Sequence, residues 1–134
     1  MQVLLRGALV MGLATPSAAA DHDVLSRGQY IVDRVGMCAD CHSPRDATGR
    51  FIWSEWLRGA PVGITPNQPM PEWATVAPPL AGLPPGYAEA DLVTFLTSGK
   101  RPDGKAARPP MPEYRLDVLD AQAVTTYLKS LQPQ

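Results

Sequence analysis

Cys38-Ala39-Asp40-Cys41-His42 is a C-x-x-C-H run that takes both cysteines of the 134-residue chain and sets a histidine against the second of them. Two thiols three positions apart on one helical turn can each bond a vinyl group on the same edge of a porphyrin. The next side chain is then carried under the ring to the iron. That spacing is the attachment pattern of c-type haem. Cys38 and Cys41 are the expected tethers of one covalent haem c, and His42 the expected proximal ligand. Three other uses of the same residues fare worse. A thioredoxin-like dithiol sits where a buried strand turns into a helix, whereas Asp23 to Gly36 reads as a helix. A structural zinc site needs four tetrahedrally placed ligands, and only Cys38, Cys41, His42 and His22 are on offer. A Cys38–Cys41 disulfide closes a loop too small to contribute much stability.

Working outward toward the N-terminus, Arg6 precedes an apolar stretch from Gly7 to Ala14, and Ala18-Ala19-Ala20 offers an A-x-A cleavage site. This pattern predicts a signal peptide over residues 1–20 and a mature domain over 21–134 beginning at Asp21. The apolar core is far shorter than the roughly 20 residues of a spanning helix, and no other stretch is long enough. The expected product is periplasmic, exported and soluble, with no membrane span. Its remaining charges are 11 Lys plus Arg against 13 Asp plus Glu, because Arg6 is the only charged residue lost from 12 and 13. A slightly acidic domain argues against a nucleic-acid partner, and about 114 residues suffice for one small core.

Three helical patterns flank a proline-rich middle. The first has Asp23 as the expected cap and Val24, Gly28, Ile31, Val32 and Val35 on one stripe, leading straight into the haem motif. The second carries Ala88, Leu92, Phe95 and Leu96, with Glu89 and Asp91 at its positive end and Gly99 placed for a C-terminal cap. The third has Asp117 as cap, Leu119, Ala123, Tyr127, Leu128 and Leu131 as its buried face, Lys129 in its last turn and Pro133 beyond it. Gly28 costs about 1 kcal/mol relative to alanine within a helix. Close approach of the face around Tyr127 is the expected reason for it.

Eight prolines lie from Pro61 to Pro85, and no apolar period survives there. The segment is expected to be loop, neither helix nor sheet, wrapping irregular chain over the porphyrin. Trp53, Trp56 and Trp73 border or enter it. They either cover the haem and core or lend one indole N–H to a propionate.

Three mature methionines compete for the sixth coordination position of iron. Met37 adjoins Cys38 on the proximal side. Met70 and Met111 both stand between prolines, in Gln68-Pro69-Met70-Pro71 and Pro110-Met111-Pro112. Fixed φ angles reduce the entropy lost when a loop is held, which suits a weak thioether ligand. Met111 is favoured by position, because a loop leading into the last helix lets that helix pack beside the haem as the loop closes. Lys100, Arg101, Lys105, Arg108 and Arg115 gather around Met111. They form either a basic rim that steers an acidic partner or charges neutralised locally by Asp103, Glu113 and the propionates.

With these residues in hand, the chain resembles the class I cytochromes c, in particular the small cytochromes and cytochrome subunits that serve bacterial periplasmic dehydrogenases. The resemblance rests on Arg27-Gly28-Gln29-Tyr30, Cys38 to His42 with Ser43-Pro44-Arg45-Asp46, Ala77-Pro78-Pro79-Leu80, Arg101-Pro102-Asp103-Gly104, Pro110 to Leu116 and Tyr127-Leu128-Lys129. It implies an all-α cytochrome c fold, three to four helices and long proline-rich loops around one covalent haem. It also implies that the backbone carbonyl of Pro78 accepts from Nδ1–H of His42, a bond that fixes the ring. Two departures stand out: Ala88 replaces a capping hydroxyl, and Phe51 to Val76 is longer than in the smallest members.

Ligation by His42 and Met111 leaves no vacant coordination position, so outer-sphere electron transfer is the expected role. It is a carrier's role and not an enzyme's. Electrons are expected to arrive from a periplasmic dehydrogenase and leave toward a terminal oxidase or another cytochrome, the chain being either a free carrier or a permanent subunit. A ligand-binding or gas-sensing haem protein is the alternative if Met111 does not hold the iron. A dihaem peroxidase is disfavoured by the single attachment motif.

Overall fold

The computed structural model describes residues 17–131. The predicted signal peptide, apart from its last four residues, and Pro133 lie outside the described residues. Eight short elements follow one another. Helix α1 (Ser17–Tyr30) continues into a π-helical turn, Ile31–Val35. Then come α2 (Ala39–His42), a 3-10 turn at Trp53–Glu55, the two-residue strands β1 (Ala60–Pro61) and β2 (Val76–Ala77), α3 (Glu89–Ser98) and α4 (Val118–Ser130). The helices carry nearly all the regular structure, as the all-α expectation required.

The packing of α1 on α4 sets the frame. A Cβ added at Gly28 would stand 2.1 Å from the carbonyl oxygen of Ala123 and 2.8 Å from Cβ of Tyr127, so the two helices touch backbone to backbone only because position 28 has no side chain. The expected visitor is therefore the observed one. Beside this contact Arg27 grips both carboxylate oxygens of Asp120 at 2.8 Å, an exposed pair that adds orientation more than stability.

The helix pattern of the sequence needs correction at Asp23, Val24, Val35 and Leu119. Asp23 is not a cap in the full chain, where α1 begins at Ser17 and residue 23 lies inside it. Ile31 and Val32 are buried, but Val24 and Val35 are 41% and 55% exposed. At Val35 the cause is the π turn, where Gly36 N–H donates to Ile31 O at 2.7 Å. Five residues per bond rotate Val35 off the buried face. Leu119 is 77% exposed. It precedes the Ala123 contact by one turn, and crossing helices diverge quickly on either side of their closest approach.

The caps of the later helices are as expected. Asp117 Oδ1 accepts from Asp120 N–H at 2.9 Å at the start of α4. At α3, Ala88 supplies no oxygen, and the neighbouring Asp91 accepts from Ala88 N–H at 3.0 Å, which is half of a capping box. Gly99 closes α3 at φ +71, the left-handed conformation that glycine adopts without cost. The core is small: Ile31, Val32, Leu57, Leu80, Leu92, Leu96, Ala121, Val124, Tyr127 and Leu128 form one buried cluster. The proline-rich middle is not wholly loop. β1 and β2 pair antiparallel, Ala60 opposite Ala77 and Pro61 opposite Val76, for a reason that lies at His42.

Candidate haem-binding site

His42 closes α2, its N–H donating to Cys38 O at 2.9 Å and its carbonyl accepting from Gly59 N–H at 2.8 Å. The residue is 5% exposed, and Nδ1 of its ring lies 2.7 Å from the carbonyl oxygen of Pro78. A carbonyl only accepts, so the proton sits on Nδ1 and the lone pair on Nε2. Burial lowers the pKa of His42 below its usual value, against the opposing pull of the Pro78 carbonyl. The imidazole is thereby held neutral with Nε2 open, the state an iron ligand must have.

Three stretches of chain meet to achieve this. Ser43 Oγ accepts from Leu57 N–H at 2.8 Å, and Leu57 O accepts from the N–H groups of Leu80 and Ala81 at 2.8 and 3.1 Å. The turn between them has Leu57 at φ +55 and Gly59 at φ +84. A Cβ on Gly59 would meet Ala77 O at 2.8 Å and Pro79 N at 3.0 Å. The β1–β2 ladder is thus the short stretch that brings Pro78 under His42, and glycine at 59 permits the approach.

Cys38 is half-buried, Cys41 exposed, and both are free thiols. The Cys38 thiol is pushed up to about 11, first by burial and then by the nearby charges of Asp33 and Cys41. The motif follows the π turn Ile31–Val35, where a thioredoxin-like dithiol would follow a buried strand, so that reading fails on context. Among the described residues no group of three or more His, Cys, Asp or Glu side chains is placed to hold a metal ion. Two unpaired thiols on one turn beside a neutral histidine fit a covalently bound haem. Val35 and Met37 next to the motif and Ile64, Met70 and Val76 between Pro61 and Ala77 are exposed apolar side chains.

Met111 is half-buried, whereas Met37 and Met70 are 57% and 43% exposed. Its loop is tied at both ends. Ala107 N–H donates to Gly99 O and Leu116 N–H to Leu96 O, each at 3.0 Å. The Tyr114 hydroxyl donates to Gly36 O at 2.6 Å, two residues before Cys38. Burial and then the neighbouring Cys38 and Cys41 push the Tyr114 hydroxyl up to about 12. The methionine loop therefore reaches the haem motif through Tyr114.

Trp73 Nε1–H donates to Ile64 O at 3.2 Å, so this indole braces the long loop. Trp53, 72% exposed, stacks on Trp56 with centroids 4.7 Å apart. Of the basic residues near Met111, Arg101 pairs with Asp103 at 3.2 Å and Arg115 with Glu113 at 4.0 Å, while Arg108 turns to backbone carbonyls of the long loop. Local carboxylates thus meet two of the five basic residues of the expected rim. Ser43, Arg108 and Tyr114 stand in stretches the sequence singled out, but not in these supporting roles; Gly59 was not singled out at all, and its one signal is an isolated glycine shortly before the first strand.

The family described as Cytochrome c matches residues 25–132. A diheme cytochrome c-type protein of Cereibacter sphaeroides is 31% identical over 108 residues, 77% of this chain and 34% of that protein. The fructose dehydrogenase cytochrome subunit of Gluconobacter japonicus is 31% identical over 119 residues, 82% of this chain and 22% of that one. The cytochrome c subunit of a quinone alcohol dehydrogenase from Gluconacetobacter polyoxogenes is 35% identical over 133 residues, 89% and 26% respectively. The chain spans between 22% and 34% of the length of these relatives. It belongs to the cytochrome c family, which implies covalently bound haem c and a role in electron transfer in place of catalysis of its own. Among the described residues no helix is long and apolar enough to cross a membrane.

Proposed function

We propose that this chain binds one haem c, tethered by Cys38 and Cys41 and ligated by His42 and Met111, and carries single electrons from a periplasmic dehydrogenase toward a respiratory acceptor such as an oxidase or another cytochrome. The observation that carries the reading is the 2.7 Å contact of His42 Nδ1 with Pro78 O, since it leaves Nε2 as the ligand atom. When bound, the haem supplies a reversible Fe(II)/Fe(III) couple, and histidine with methionine favours its reduced form. The chain's own residues bind, orient and exclude water. Export through a signal peptide over residues 1–20 would leave a domain starting at Asp21. The single C-x-x-C-H supports one haem in this chain, and the dehydrogenase cytochrome subunits among its relatives support a dehydrogenase as donor.

The test is the weak far-red charge-transfer band that methionine sulfur gives on ferric haem. It should be present in the purified holoprotein and absent in Met111→Ala, whose potential should fall. A wild type that lacks the band and binds carbon monoxide rapidly when reduced would replace the carrier with the ligand-binding alternative.

A further inference from the structure

The long loop between β1 and β2 touches both ends of the site. Its last residues run directly into Ala77 and Pro78, whose carbonyl orients His42. Its middle is fastened to the methionine loop. Arg108 Nε donates to Glu72 O at 3.2 Å and Nη2 to Trp73 O at a longer 3.4 Å, while Ala74 N–H donates to Pro109 O at 2.7 Å. The loop is itself braced by Val62 N–H to Thr75 O at 2.9 Å and by Trp73 Nε1 to Ile64 O at 3.2 Å. On the other side, Met111 N–H donates to Arg108 O at 3.0 Å.

We propose that residues 62–76 form a strap and that Arg108 is a positioning residue, clasping the strap so that the loop presenting Met111 is locked to the segment that orients His42. The inference rests on Met111 being the iron ligand. Two donors on one edge of a planar guanidinium match the carbonyls of two consecutive residues, a geometry that a lysine ammonium cannot reproduce. Because both partners are carbonyls and not carboxylates, the clasp depends on hydrogen-bond geometry more than on charge. A thioether binds iron weakly, so its hold depends on how little its loop wanders. Removing the clasp should loosen Met111 while α1, α3 and α4 stay packed.

The experiment compares wild-type holoprotein with Arg108→Met, which keeps the stem and loses the donors, and with Arg108→Lys. Urea midpoints are read twice, by the far-red methionine band and by far-UV circular dichroism. Carbon monoxide binding to the reduced form is followed in parallel. In wild type the two midpoints should nearly coincide. Arg108→Met should lose the band well before the helices, with the methionine-off population rising about tenfold and carbon monoxide binding rising with it. Arg108→Lys should behave like Arg108→Met. Full rescue by lysine would assign Arg108 a charge role and overturn the clasp, as would an unchanged band midpoint in Arg108→Met. If wild type has no such band, or Met111→Ala keeps it, the ligand assignment fails first and the clasp with it. Should Arg108→Met not fold, amide exchange in wild-type holoprotein decides. The Ala74 N–H should be protected, and exchange at the rate of an open loop would refute the strap.

Discussion

The two sides of the site are held by different kinds of contact. Around His42 the chain closes on itself through backbone, with Gly59 N–H on His42 O, Leu80 and Ala81 on Leu57 O, and Pro78 O on the imidazole. Around Met111, beside the backbone ties of Ala74, Ala107 and Leu116, side chains also reach across, Arg108 to Glu72 and Trp73 and Tyr114 to Gly36. Backbone contacts leave no room for adjustment, because the atoms in register cannot be exchanged by substitution and their neighbours cannot be enlarged. Side-chain contacts can be lost singly while the fold persists. The proximal side should therefore answer substitution with loss of stability, and the methionine side with a change in ligand hold.

The largest effect is expected from Gly59→Ala. The new Cβ would face the Ala77 carbonyl oxygen at 2.8 Å in a residue held at φ +84. Positive φ costs a residue with Cβ roughly 1–2 kcal/mol, and overpacking adds about 1–3 kcal/mol. A loss of about 2–5 kcal/mol in urea unfolding of the holoprotein is expected on these grounds. A loss of only a few tenths would mean that the Ala77–Pro79 turn yields, and the contrast between the two sides would collapse. Tyr114→Phe comes next. It removes one hydrogen bond to Gly36 O and should cost about 1 kcal/mol. The far-red methionine band should persist at neutral pH without denaturant. Its loss there would make Tyr114 a stronger anchor of Met111 than Arg108.

The proximal half was the more legible of the two. C-x-x-C-H names its own chemistry, Gly28 announces a close approach because a mid-helix glycine needs one, and Asp117 and Gly99 mark helix ends through their own capping chemistry. Pro78 came from the family resemblance, and its carbonyl stands against Nδ1 of His42 at 2.7 Å. What escaped reading depends on tertiary geometry. Leu119 fits the helical period, yet where two crossing helices diverge is set by both of them. Asp23 has capping chemistry, but in the full chain the helix starts six residues earlier, at Ser17. The π turn at Ile31–Val35 shifts the stripe without any residue announcing it. Arg108 read as one charge in a basic run. Its carbonyl partners are 35 and 36 residues away, and no local pattern encodes that distance.

The smallest expected effect tests an imperfection in the tightly held half. Asp33 lies in the π turn with one carboxylate oxygen buried and unpartnered, while the other accepts from Gln29 Nε2 at 3.3 Å. Burial raises its pKa above the ordinary 3.8, with the Gln29 bond and the Arg34 charge pulling the other way. The native state therefore holds this proton to higher pH than the unfolded chain does. Its contribution to stability is fully present below 3.8 and is lost as pH rises through the raised native value. Asp33→Asn stays neutral throughout and still offers an oxygen to Gln29. The stability difference between variant and wild type should thus be flat at low pH, grow in the variant's favour as pH climbs above 3.8, and level off toward neutrality. Because the other carboxylates and the haem propionates titrate in both proteins, the difference curve isolates Asp33. Urea unfolding of the two holoproteins from acid to neutral pH measures it. A gap that does not vary with pH would mean that the charged carboxylate finds solvent in the native state, and that the proximal half tolerates more give than its backbone contacts imply.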